Sequence, residues 1–242
     1  MLIREAMGAF WQTLKDTWEE LFPLAIVNLV WLLAWAVPLS LGSVAGSIPA
    51  LAIPLFLIGI LAFPVGTAGI YYVTNRVAHA KTFHFSDFLE GVQRYWWRSL
   101  LWFLATLFVI FLISVNIWFY PRAFEGEWTV FVAIFWLFIL LFWVAIQIYF
   151  WPILIEMEEP RLFLAWRNAL YLILANPFYA FFIASFTLVL LAASVLTTLP
   201  FIFAGMTLQG LLGNNAVLTL LAHFGLIQPP RPKTTGGGEF GQ

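Results

Sequence analysis

Residues Asn75–Ser99 read NRVAHAKTFHFSDFLEGVQRYWWRS and stand between two long apolar runs. The stretch holds two of the chain's three histidines, with Asp87, Glu90, Arg76, Lys81, Arg94 and Arg98. It is either a metal or catalytic site or an elbow at a membrane surface. Metal sites set histidines at fixed short spacings, often i,i+4 on one helix. His79 and His84 are five apart, with a bend expected between them. The third histidine, His223, ends the last apolar run and is expected at the same face, where it could join Asp87 in a cluster. Against this, Phe88, Leu89, Val92, Tyr95, Trp96 and Ser99 recur at helical steps, and Glu90 can pair with Arg94 at i,i+4. Ser86 stands where a hydroxyl caps a helix start. The reading adopted is an interfacial elbow helix over Ser86–Arg98, with no metal, cofactor or catalytic residue. Phe88, Tyr95 and Trp96 are then buried against spans or headgroups, while Asp87, Glu90 and Arg94 face water.

The rest of the chain makes the membrane explicit. Of 242 residues, 63% are hydrophobic and 10% charged, against about a quarter charged in a soluble domain. Mean hydropathy is +0.94. Apolar runs near 20 residues recur, each able to cross a hydrocarbon core of about 30 Å. They do not alternate as barrel strands do, so they are read as helices. A net charge of −1 argues against a nucleic-acid partner. The absence of cysteine removes disulfides, thiolate metal sites and cysteine nucleophiles.

The expected fold is all-α: a polytopic transmembrane bundle of about six spans, with an N-terminal amphipathic helix and two cytoplasmic elbow helices. Residues 1–225 form a single membrane domain, and 226–242 a disordered cytoplasmic tail rich in Pro and Gly. In residues 2–20, Ile3, Met7, Phe10, Trp11, Leu14 and Trp18 form one face. That helix either lies in the interface plane or packs on the protein's own cytoplasmic side. The spans run over about 21–41, 49–74, 99–120, 129–153, 177–197 and 200–224, with Pro54 and Pro64 expected to kink or tilt the second. With the N-terminus inside, ten of the eleven Lys and Arg fall on the cytoplasmic side and only Arg122 outside. The two cytoplasmic connections look alike: Leu162, Ala165, Trp166, Ala169, Leu170 and Ile173 make a second elbow face, which hints at a duplicated unit.

Candidate chemistry is sparse. Glu156, Glu158 and Glu159 could hold a cation or do acid–base work, but a solvated helix end beside Arg161 is the simpler reading. The polar groups within the spans are Asn28, Gln147, Gln209, Asn214 and Asn215. Amides at membrane depth usually join helices. The last span, with Gly205, Gly210 and Gly213 beside Gln209, Asn214 and Asn215, is read as close helix packing, with a polar solute pathway or broken helix as the sharper alternative. No mid-span histidine is available for a haem, and no phosphate loop or nucleophile elbow occurs.

Four segments carry a resemblance: VNLVWLLAWAVPL (Val27–Leu39), FPVGTAGIYYV (Phe63–Val73), FSDFLEGVQRYWWRSLLWFL (Phe85–Leu104) and LANPFYAFF (Leu174–Phe182). Together they resemble the YesL-like family of bacterial membrane proteins, with Asn28, Trp31, Pro64, Ala68, Tyr71, Phe88 and Pro177 in the family positions. Residues 40–62 are extra relative to that pattern. The resemblance implies no catalytic residues. It implies an accessory role beside carbohydrate uptake in the bacterial inner membrane. A small-solute transporter or channel, or a structural subunit of a larger membrane complex, are the alternatives.

Overall fold

The computed structural model describes residues 2–228, so the tail expected after 225 lies outside the described residues from 229 onward. The helices, in order, are α1 (Leu2–Glu19), α2 (Leu21–Val44), α3 (Pro49–Ala78), α4 (Phe85–Ala123), α5 (Trp128–Glu156), α6 (Leu162–Ala175), α7 (Pro177–Thr197) and α8 (Leu199–His223). Among the described residues there is no strand. Five helices, α2, α3, α4, α5 and α7, are long and apolar enough to cross a bilayer. The chain is a multi-pass membrane protein.

The sixth expected span, α8, has the length but is not among those five. Its polar side chains lower its hydropathy, and its position explains why they are tolerated. Residues 210–218 are buried without a break, and α8 touches α1, α2, α3, α5 and α7. A helix wrapped by protein on all sides needs no lipid-facing stripe.

Packing is concentrated toward one end. His223 at the end of α8 lies 3.1 Å from Glu5 near the start of α1, so both of these helix ends sit on the same side of the bundle. α2 buries Leu24, Val27 and Trp31, α3 buries most of its second half, and α5 buries Tyr149–Leu154. Toward the far end the helices show lipid-compatible rings: Phe108, Phe111 and Trp118 on α4, Phe131, Phe135 and Phe138 on α5.

Two expectations about the surface helices need correction. First, α4 is one helix of 39 residues, about 58 Å long at 1.5 Å per residue. The elbow Ser86–Arg98 is its first third and not a separate helix. Nothing in RYWWRSLLWF can break a helix, whereas the second elbow, α6, ends at Asn176 because the residue before Pro177 is pushed out of the α region (φ −137°). The connections are therefore not a duplicated unit, although α6 itself buries Ala165, Ala169 and Ile173 as expected.

Second, α1 packs on α7 and α8 through the opposite face from the one its aromatics mark. Ala6, Ala9, Thr13, Asp16 and Thr17 are buried, while Ile3, Met7, Trp11 and Trp18 are exposed. Small side chains let helix backbones approach, and in lipid that close contact outweighs the burial of large apolar groups. Phe10 is the exception, stacking on Phe186 at 4.5 Å between ring centroids.

The α3–α4 crossing is equally close. A Cβ on Gly91 would lie 2.5 Å from the Cβ of Tyr72, and one on Gly69 would lie 2.9 Å from the carbonyl of Phe88. Neither position has room for a methyl group. Gly91→Ala is expected to destabilise the detergent-solubilised protein by about 1–3 kcal/mol through overpacking. Gly8→Ala, at a helical position with nothing within 4 Å of the added carbon, should instead stabilise by roughly 0.5–1 kcal/mol. Denaturant unfolding of the two variants reads this opposite sign.

Candidate functional site

The amides singled out in the last span become the centre of the site. α8 is continuous through them, so it is not a broken helix. Asn214 and Asn215 are adjacent and therefore point in different directions around the helix. Asn214 Nδ2 donates to Thr74 Oγ1 at 3.0 Å and to the Gly210 carbonyl at 2.9 Å. Its Oδ1 accepts from Asn75 Nδ2 at 3.2 Å. Asn215 turns to α1, donating to Thr13 Oγ1 at 3.1 Å and to Asp16 Oδ2 at 3.3 Å. Gln12 donates to the other Asp16 oxygen at 2.8 Å.

The glycines beside them are contact points. A Cβ on Gly210 would lie 2.8 Å from Thr74 Oγ1, and one on Gly213 would lie 2.8 Å from the Ile148 carbonyl. Asn28 completes the set from α2. Its Nδ2 donates to the Ile202 carbonyl at 2.7 Å, and its Oδ1 accepts from the Met206 N–H at 2.9 Å. One side chain thus engages both ends of a single i,i+4 step of α8. These contacts are those of packing.

Asn75 extends the network to the charged end. It donates to Glu156 Oε1 at 2.5 Å, and His79 Nε2 lies 2.8 Å from the same oxygen. Glu156 is not the fully solvated helix end expected: its side chain is 20% exposed. Glu158 and Glu159 are solvated, with Glu159 paired to Arg161 at 2.6 Å.

The three histidines are dispersed, each beside a different carboxylate. His79 meets Glu156 and His223 meets Glu5. His84, not Ser86, is the N-cap of α4, in a capping box where its N–H donates to Asp87 Oδ2 at 2.7 Å. Among the described residues no group of three His, Cys, Asp or Glu is placed to hold a metal ion.

The elbow residues divide. Phe88 and Tyr95 are buried, as expected. Glu90 and Arg94 are exposed, but they do not form the expected pair: Glu90 accepts from the Tyr72 hydroxyl at 2.6 Å, and Arg94 lies 5.7 Å from the Tyr95 ring. Trp96 is 51% exposed, turned away from the bundle toward lipid or headgroups. Asp87 does not face water. The capping box and Arg76, 3.4 Å away, hold it in the protein.

Gln209 differs from its neighbours. Its Nε2 donates to the Thr187 carbonyl on α7 at 3.2 Å, and it borders a cavity of about 200 Å³ among α3, α4, α5, α7 and α8. Trp102 and Gln147 line the same space, joined by an indole-to-amide hydrogen bond of 2.8 Å. Sequence reasoning missed Trp102, Trp151 and Thr187 here, because nothing in an apolar run marks which indole or hydroxyl will border a cavity.

Comparison with protein-family models, with curated proteins and with solved structures finds no match for this chain.

Asn214→Leu removes bonds to Thr74 and Asn75 and should cost about 1–2 kcal/mol, at roughly 0.6 kcal/mol or more per interhelical bond in a membrane protein. In a double-mutant cycle, His79→Ala and Glu156→Ala should show a coupling of about 0.5–2 kcal/mol. A chelator should leave the unfolding of all these variants unchanged; a shift on chelation would instead point to a bound metal.

Proposed function

We propose that this chain is a non-enzymatic protein of the bacterial inner membrane that serves as an accessory or assembly partner in carbohydrate or other solute uptake. The observation that carries the reading is the α4–α5 hairpin. Its far halves leave a bank of large rings, among them Phe131, Phe135 and Phe138, uncovered among the described residues. Meanwhile Asn214 and Asn215 are engaged in holding the fold together. A hydrogen-bonded charged end carrying a long apolar hairpin suits lateral association with another membrane protein. The link to uptake comes from the resemblance to the YesL-like family in the sequence.

The orientation proposed puts the charged end in the cytoplasm, because ten of the eleven Lys and Arg then lie on that side. A C-terminal reporter active only in the periplasm should stay silent, and activity would invert this topology.

Purification from native membranes in mild detergent tests the function. A stoichiometric membrane partner, lost when Phe131, Phe135 and Phe138 are replaced by Ala without lowering thermal stability, supports the reading. Solute flux through the pure protein in liposomes would replace it with a transporter.

A further inference from the structure

We propose that a second cavity, at the charged end between α5, α6 and the end of α8, is a binding site for a compact hydrophobic amine. This goes beyond the accessory reading and does not depend on it. The space is about 420 Å³, in the lower part of the ~300–1,000 Å³ range of small-molecule sites. It is reached from the surface: Tyr171 and Leu226 line it and are 60% and 70% exposed.

The sequence of α6 makes one side of it. Ala165, Ala169 and Ile173 form the face buried on the bundle. Asn168, Tyr171, Leu172 and Ala175 recur at i, i+3, i+4 and i+7, so they share a neighbouring face, and that face lines the cavity. Ile153 of α5 and Leu221 of α8 extend the apolar wall. Most of the lining is apolar, so the body of the ligand is apolar too.

The polar groups decide what that body carries. Among the described residues Glu156 is the only charged one in the lining. Asn75 and His79 both approach its Oε1. Its Oε2 takes no hydrogen bond among the described residues and is not sealed from the surface; the side chain is 20% exposed. The Asn168 amide is likewise without a partner among the described residues and likewise not sealed. A carboxylate oxygen only accepts, and a donor that is also cationic makes a bond about twice as strong as a neutral one. A primary ammonium has three donors, enough for Glu156 Oε2 and the Asn168 oxygen together. An anion is disfavoured, since it would meet Glu156 with no cation in the wall to offset it. Lys81 and Arg167 are exposed and are not part of the lining, and Arg167 is held over the Tyr171 ring at 5.9 Å.

The test uses the full chain in phosphatidylcholine nanodiscs, with empty discs as the blank, and equilibrium dialysis of radiolabelled phenethylamine. Phenylethanol and phenylacetate are the uncharged and anionic counterparts. The amine is expected to bind saturably and roughly tenfold more tightly than the alcohol, and the acid not at all. Glu156→Gln, which keeps an acceptor for Asn75 and His79, should weaken amine binding roughly tenfold. Ala175→Trp, at an exposed position of the wall outside the Asn75 and Glu156 contacts, should fill the space and abolish binding while leaving thermal unfolding without amine unchanged. Absence of saturable amine binding overturns the proposal. So does binding that Ala175→Trp leaves intact, or that the alcohol matches. Loss of amine binding when phosphatidylethanolamine replaces phosphatidylcholine in the discs would assign the site to a lipid headgroup and overturn it as well.

Discussion

An amide in the middle of a bilayer has no water to turn to. It must find its hydrogen bonds within the protein or cost several kcal/mol. The rest of this structure depends on that constraint, because α8 places Gln209, Asn214 and Asn215 at depth and each is answered by a different helix. Gln209 is bonded to α7, Asn214 to α3 and Asn215 to α1, while α2 reaches in with Asn28. The bonds are directional, so they set the rotation and height of each neighbour about α8, which greasy contact alone cannot do. Gly210 and Gly213 bring α3 and α5 to within touching distance of the same stretch.

This arrangement divides the molecule. Toward the charged end, small side chains and polar bonds pull the helices together around α8. Along the outer halves of α4 and α5 the described residues make no comparable set of bonds between helices, and large apolar side chains face outward there. Lipid tails are as apolar as leucine, so hydrophobicity does not draw those halves to one another. The Asn75, His79 and Glu156 contacts cap the packed end, where polar groups return to water.

Much of the fold was legible as runs and punctuation. Long apolar stretches bounded by Pro49, Pro177 and the polar bends marked the spans, and the spacing of Ala165, Ala169 and Ile173 marked the buried face of α6. What could not be read were choices between equivalent local options. The aromatic stripe of α1 is a genuine helical face, but lipid competes for it as well as protein does, so periodicity could not say which side would be buried. Continuity of α4 depended on the absence of a breaker after Gly91, a weaker signal than the change from charged to apolar composition near Ser99. Ser86 looked like the cap until a histidine two residues earlier, with Asp87 three residues beyond it, took that place. In the site, the amides were visible as polar letters in an apolar run, and their role in joining helices followed from that. The cavity beside Gln209 was not visible, since it is formed by residues from five helices that sequence neighbourhood does not connect.

The central place of α8 bears on how the chain is made. Each of the five apolar helices can leave the translocon for lipid on its own hydrophobicity. α8 emerges after them and is the long helix least suited to lipid, since its amides would enter the bilayer unsatisfied. Its route into the membrane therefore runs through a vestibule already formed by α1, α2, α3, α5 and α7, whose waiting carbonyls and hydroxyls take the place of water. Insertion of the last helix and closure of the tertiary structure become a single event, and a chain arrested before residue 199 would be threaded through the membrane without being folded.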